Sequence, residues 1–302
     1  MSASLRQLQI FRAVARDLSY TRAAEALHLT QPAVFTQVRQ LEDQLGSPLI
    51  ERIGKKLYLT EAGEVVRASA HEVLTELEQL SMRLADLRGM VRGRLRISVV
   101  STAKYDIPAR LGEFCRRHPG IDVTLTVGNR GELLTRFAAN EDDLYILGSV
   151  PEGLGAEAHR FAENPLVVIA APDHPLAGRK GVALDQIAAG PFVMRETGSG
   201  TRIAAERAFA AAGLVPVVRM ELGANEAIKQ AVMAGLGLSV LSRGTCLLEL
   251  EHGHLVELDV TGFPLARHWH VAWPGGKRLS VGARAFLSVL MGEEPPADPA
   301  SG

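Results

Sequence analysis

The sequence predicts an α/β chain in three parts: a winged helix-turn-helix head, one long helix, and a two-lobed α/β domain. Three observations carry this prediction. Residues 20 to 60, YTRAAEALHLTQPAVFTQVRQLEDQLGSPLIERIGKKLYLT, hold two short helical patterns with a tight connection and a basic hairpin. From Glu64 to Arg88 there is neither Gly nor Pro. Beyond Gly93, short apolar runs alternate with helical periodicity, which is the signature of βαβ units and a largely parallel sheet.

In the head, Leu5, Leu8, Phe11, Val14 and Ala15 supply the apolar face of a first helix, and Ala23, Ala24 and Leu27 mark a short second one. The His28-Leu29 turn gives the short connection of a helix-turn-helix. Thr30 is a good N-cap for the third helix, with Gln31 and Pro32 in a first turn where a missing N–H costs nothing. Val34, Val38, Leu41 and Leu45 form one apolar stripe, and Gly46 ends the helix. The outer face then carries Gln31, Pro32, Phe35, Thr36, Arg39 and Gln40, a set rich in amide and hydroxyl groups that suits base edges in the major groove. Arg52, Lys55 and Lys56 around Gly54 form a wing suited to phosphates. Residues 1 to 60 carry eight basic and five acidic side chains, a net of +3, which leaves −4 for the other 242 residues of a chain at −1. Double-stranded DNA is the partner this head predicts.

Thr60, Glu61 and Glu64 open the long helix with cap and dipole chemistry. Val66, Ala70, Val73, Leu77, Leu80, Leu84 and Leu87 alternate spacings of four and three, an a/d seam narrow enough to suit a partner helix. The segment spans on the order of 40 Å, too long for its own head to cover. A homodimer through this helix is expected.

In the remaining domain the strands LRISVV, IDVTLTVG, DLYILG, PLVVIAA, PFVM, VVRMEL and LGLSVLS interleave with helices, and HWHVAW with the helix Val281 to Met291 returns the chain to the first lobe. Ligands in such sheets sit beyond the strand C-termini, near free helix N–H groups. That rule selects Ser101, Thr102 and Lys104, then Gly128, Asn129 and Arg130, then Gly148 and Ser149. From the second lobe comes the loop Arg195 to Arg202 just before a helix, in which it selects Gly198, Ser199, Gly200, Thr201 and Arg202, with Asn225 expected to cap the next helix. Lys104, Arg130 and Arg202 imply a small anionic ligand. The expected divisions are a head at 1–60, linker helix 61–89, hinge 90–94, ligand domain 95–292 and a disordered tail 293–302. Lobe I takes about 95–162 and 268–292, and lobe II about 163–267.

No apolar run of membrane-spanning length and no signal peptide are read, so a cytoplasmic protein without membrane partner is expected. Cys115 and Cys246 lack metal-ligand spacing and are expected to be ordinary buried thiols. GxxxxGK[ST], G-x-S-x-G and H-E-x-x-H do not occur, and GSGTRI lacks the last glycine of the dinucleotide fingerprint. The pairs His252 with His254 and His268 with His270 each lack a third ligand nearby. An enzyme, a metal site and a bound cofactor are therefore not expected. A stand-alone ligand-binding module would leave the head without a use.

The run L-x-x-L-x-x-F, AA-x-x-L-x-x-TQPAV, Q-LE-x-x-LG-x-x-L-x-x-R and LT-x-AG, from Leu5 to Gly63, resembles the LysR-type transcriptional regulators. The resemblance implies a periplasmic-binding-protein-like effector domain, an effector between its lobes, pairing of dimers into a homotetramer, and RNA polymerase as a further partner. Within the family, STAKY, GNR, ANEDDL, RE-x-GSGTR and L-x-x-NE-x-IKQAV-x-AGLG-x-x-VLS look like the branch controlling carbon-fixation operons. That branch implies an activator responding to ribulose bisphosphate or other phosphorylated metabolites. The chain departs from the pattern at Phe35, where the family usually has a small Ser, so an apolar contact with a thymine methyl would replace the polar base contact the resemblance implies, and Thr36 would take over a polar contact. Asp106-Ile107 and Ser149-Val150 stand where the branch more often has an aromatic-apolar pair and Arg-Pro.

Overall fold

The computed structural model describes residues 3–86 and 93–292, and the side chains of all of these except 78, 79 and 81–86. The chain divides into two units, residues 1–88 and 89–302.

The first unit runs α1 (Leu5–Asp17), α2 (Tyr20–Leu27), α3 (Gln31–Leu45), β1 (Ile50–Ile53), β2 (Lys56–Leu59) and α4 (Glu61–Asp86). Ser4 and Gln7 form a capping box at the start of α1. His28, in the left-handed region at φ 54°, stops α2 by sending its N–H to the Ala24 and Glu25 carbonyls. Thr30 Oγ1 accepts from the Ala33 N–H at 3.4 Å, so α3 starts after three connecting residues. Phe11, Val14, Ala23, Val34, Val38, Leu41 and Leu49 close the core between the three helices.

Glu42 ties α3 to the wing. It is buried, and its Oε1 accepts the Leu49 N–H at 2.8 Å and the Ile50 N–H at 3.1 Å. Glu42→Ala leaves two N–H groups without acceptor and should destabilise the head by about 2–4 kcal/mol, on about 1–3 kcal/mol per abandoned group. Glu42→Gln keeps an acceptor oxygen and should lose less than half as much in thermal melts.

The first turns of α4 belong to the head. Val66 packs on its core, and Ala70 and Leu74 are buried. The expected dimer seam is therefore corrected at its start, because α1 already covers Val66 and Ala70's side of the helix. Val73, Leu77 and Leu80 are exposed. The Leu84 side chain and Leu87 lie outside the described residues, as do hinge residues 90–92 and the tail 293–302.

The second unit begins with β3 (Gly93–Val100), so Gly93 and Arg94 belong to a strand, not a hinge. A short turn at Ala103–Tyr105 is followed by α5 (Ile107–Arg117), β4 (Ile121–Gly128), α6 (Arg130–Ala138), β5 (Leu144–Leu147) and β6 (Ala156–Glu163). Lobe II holds β7 (Leu166–Ala170), α7 (Leu184–Ala188), β8 (Pro191–Arg195), α8 (Gly200–Ala211), β9 (Val217–Leu222), α9 (Asn225–Met233), β10 (Ser239–Ser242), α10 (Leu247–Glu251) and β11 (Val256–Leu258). The chain then returns through β12 (His268–Pro274) and α11 (Val281–Met291).

Lobe I is a sheet in the order β4-β3-β5-β12-β6. β3 runs parallel to β4 and β5, whereas β12 is antiparallel to both β5 and β6. In lobe II, β7 is antiparallel to β10 and β11, and β8 is parallel to β9. The largely parallel sheet expected from βα alternation is thus corrected to one mixed sheet in lobe I, and in lobe II to a three-stranded antiparallel sheet beside a parallel pair. The returning strand β12 enters from the other lobe without a crossover helix, so nothing forces it into the parallel sense. All five residues of β7 are buried because it has core on both faces, which explains the unbroken run LVVIA. Cys246 is buried as expected, but Cys115 is exposed, on the solvent side of α5.

The two crossings between lobes lie side by side. Asn164 N–H donates to the Arg267 carbonyl at 2.7 Å, and Leu166 bridges Leu265.

Candidate DNA-reading face and interlobe anion site

On α3, Gln31, Pro32, Phe35, Thr36, Arg39 and Gln40 are all exposed, on one outer ribbon opposite the buried Val34, Val38 and Leu41. The wing places Arg52, Lys55 and Lys56 in solvent about a tip where Gly54 takes φ 62°. Arg52 Nε donates to the Gly54 carbonyl at 3.0 Å, fixing the tip. Exposed amides and one cation on a helix, with cations on the adjoining hairpin, suit base edges and phosphates respectively.

In the second unit, a cavity of about 380 Å³, open to solvent, lies between the lobes. Lobe I lines it with Ser101 and Thr102 after β3, Asn129 and Arg130 after β4, and Gly148 and Ser149 after β5. Lobe II adds Arg195 at the end of β8 and Ser199, Gly200 and Thr201 at the start of α8. Asn164 and Arg267 enter from the two crossings. Its floor therefore contains the segments about which the lobes are joined.

The cations differ in how they are paired. Arg195 is buried, and a two-point pair with Glu196 at 2.7 and 2.8 Å compensates it. It also donates to Asn225 Oδ1 at 2.7 Å and, across the lobes, to Ser101 Oγ at 3.0 Å. Arg267 donates to the Gly200 carbonyl at 2.8 Å. Burial lowers the Arg267 pKa, and the nearby Arg130 and Arg207 charges lower it further. Among the described residues, neither Arg130 nor Arg267 is in a salt bridge. Gly148 makes room for this guanidinium, since a Cβ there would lie 3.1 Å from Arg267 Nη2. No side chain caps α8, whose first residues line the cavity, so its leading N–H groups add to the attraction for an anion.

Nine of the sequence-selected residues come together here: Ser101, Thr102, Asn129, Arg130, Gly148, Ser149, Ser199, Gly200 and Thr201. Lys104, Gly128, Gly198, Arg202 and Asn225 do not line the cavity, Gly128 being the last residue of β4. Asn225 is the first residue of α9, with Ala224 as N-cap, and its side chain holds Arg195 from behind. Gly198 supplies a left-handed turn at φ 92° just before α8. Arg202 lies inside α8, one turn before Glu206, and pairs with Glu206 at 2.7 Å and with Glu221 while donating to the Arg195 carbonyl. Lys104 pairs with Glu226 at 2.7 Å, and Tyr105 donates to the same carboxylate at 2.6 Å, a second bond between lobes. Burial alone would raise the Glu226 carboxyl; the Lys104 ammonium and Tyr105 hydroxyl override it and hold it at about 2. The sequence reading missed Asn164 and Arg267 as lining residues, and had Arg195 only as the start of its loop. Arg195 stood in the quoted RE-x-GSGTR run, and Arg267 precedes the returning strand, where a lobe crossing is itself the signal.

Among the described residues, no three His, Cys, Asp or Glu side chains gather to hold a metal, and no helix is long and apolar enough to cross a membrane.

Residues 5–64 match the family described as bacterial regulatory helix-turn-helix protein, lysR family, and residues 88–294 match the LysR substrate binding domain. The chain belongs to the LysR family of transcriptional regulators. This LysR protein is 50% identical over 288 residues to a RuBisCO operon transcriptional regulator of Acidithiobacillus ferrooxidans, covering 95% of this chain and 93% of the relative. It is 46% identical over 293 residues to the HTH-type transcriptional activator CmpR of Synechocystis, covering 97% and 96% respectively. Among solved structures, the CcmR regulatory domain of Synechocystis in complex with 2-PG is 47% identical, covers 67% of this chain and 97% of that one, and superposes with a TM-score of 0.65. As a LysR regulator the protein is not an enzyme, and the head and the two-lobed domain have their family meaning as DNA-binding and effector-binding parts.

Proposed function

We propose that this protein activates a carbon-fixation promoter, binding its operator through α3 and the wing and sensing a small phosphorylated or carboxylate anion in the interlobe cavity. The observation that carries the reading is the Arg130 and Arg267 pair: two guanidiniums at one cavity, neither of them in a salt bridge among the described residues, beside Arg195, which Glu196 already pairs. Such a pair favours an anion over a neutral metabolite. The complex of CcmR with 2-PG and the names of the regulators in Acidithiobacillus and Synechocystis support this choice of ligand and promoter. Because Asn164 and Arg267 belong to the lobe crossings, a bound anion has different contacts in each lobe arrangement, which is what an effector requires. The exposed Val73, Leu77 and Leu80 favour dimerisation through α4. Pairing of dimers, RNA polymerase contact and a cytoplasmic location complete the reading.

Calorimetric titration of the full chain tests it, with 2-PG, ribulose bisphosphate, inorganic phosphate and an uncharged sugar as probes. Binding of at least one anion and none of the neutral sugar is expected. Equal binding of the sugar, or no binding of any anion, would refute the site. On DNA, Lys55→Ala should weaken all sequences alike and lower the salt slope by about one, whereas Gln31→Ala should lose about 1–3 kcal/mol of base discrimination. A sequence-selective loss from Lys55→Ala in salt-dependent binding assays would contradict the phosphate role.

A further inference from the structure

Phe35 is out of character with its surroundings. It lies at the centre of the outer face of α3, among Gln31, Thr36, Arg39 and Gln40, and 40% of it is exposed. Its ring is not free to turn away. Tyr20, anchored on the head core at the start of α2, meets it edge-on with ring centroids 5.3 Å apart at 69°. The Arg39 guanidinium lies 5.7 Å from its centroid on the next turn, and Arg39 is itself held 3.6 Å from Glu42, the carboxylate that ties α3 to the wing. A rigid apolar disc, framed by an aromatic ring and a cation, is thus presented where polar groups would otherwise stand. Fixing its geometry in the free protein lowers the entropy lost on contact.

The base edges of the major groove offer hydrogen-bond donors and acceptors and one apolar group, the 5-methyl of thymine. We propose that Phe35 reads that methyl group, once per half-site, with Tyr20 as the positioning residue that fixes the ring and Arg39 supplying the charge that keeps it against the duplex. The inference rests on the operator-binding reading above and adds the base that one position selects.

The test starts from operators selected by the full chain from random duplexes. Each thymine of the recovered inverted repeat is then replaced singly by deoxyuridine, which removes only the methyl. For the wild-type chain, one thymine in each half-site should be sensitive, with affinity falling about fourfold, the worth of burying one methyl. Phe35→Ser should lose that sensitivity and bind thymine and uracil operators equally, while its melting profile confirms a folded head. If no uracil substitution weakens the wild-type chain, or if Phe35→Ser keeps the same sensitivity, the proposal is wrong. Recovery of no inverted repeat would instead overturn the operator reading, and this inference with it.

Discussion

Arg267→Met should raise the melting temperature of the ligand-free protein and at the same time weaken its response to anions. The opposed signs come from one cause. Arg267 is held near Arg130 and Arg207, where burial and like charge both disfavour the guanidinium. Methionine fills the same volume without charge, at the cost of one hydrogen bond to the Gly200 carbonyl. A gain of roughly a few degrees is therefore expected in the effector-domain transition. The same charge is what an anion uses, so affinity should fall by roughly ten- to a hundredfold, on about 1.5–3 kcal/mol for a charge-assisted hydrogen bond. Arg202→Met is the matched control: Glu206 and Glu221 already engage that guanidinium, so affinity should hardly move. A loss at Arg202 equal to that at Arg267, measured by titration calorimetry, would reverse the assignment of the two residues.

Gly63→Val should unfold the head while leaving anion binding intact. A Cβ at Gly63 would stand 2.1 Å from the Leu49 carbonyl oxygen and 3.0 Å from its carbon, both backbone. Leu49 is fully buried, and its carbonyl also accepts the Thr60 N–H at 3.1 Å, so neither partner can withdraw without opening the wing. A loss of about 3 kcal/mol or more is expected, at the upper end of overpacking effects. Gly46→Ala gives the scale for conformation alone: Gly46 is left-handed at φ 69° with open space around it, and about 1 kcal/mol is expected. Circular dichroism melts with operator binding would separate the two cases, and the effector titration should be unchanged in both because residues 89–302 form their own unit.

The head was nearly all legible in the sequence, because its signals are local. Thr30, Pro32 and Gly46 punctuate α3, and one periodic stripe defines its buried face. Gly63 and Glu42 belonged to quoted motifs, yet their purpose is a contact between segments, which no spacing expresses. The effector domain was legible in its loops and less so in its sheets. Strand β6, AEAHRFAE, escaped notice because it is an edge strand with mostly exposed residues and so has no apolar alternation. Strand direction was misjudged because β12 gets its sense from the chain's route through lobe II. Among the cations, sequence gave charge but not partner: Lys104 and Arg202 are neutralised by Glu226, Glu206 and Glu221, whereas Arg267, which no motif announced, is not in a salt bridge among the described residues. Pairing is decided by tertiary neighbours, and the useful cation is the one left without a carboxylate.

Anion occupancy of the interlobe cavity should alter how the full chain engages its operator. Footprinting of the full chain on the selected operator, with and without saturating 2-PG, addresses it most directly. A protected inverted repeat is expected, with half-sites one helical turn or a multiple apart, whose extent or affinity changes on adding the anion and which in Arg267→Met needs roughly ten- to a hundredfold more anion to change. A footprint identical in both conditions, under concentrations where calorimetry shows the anion bound, would contradict it.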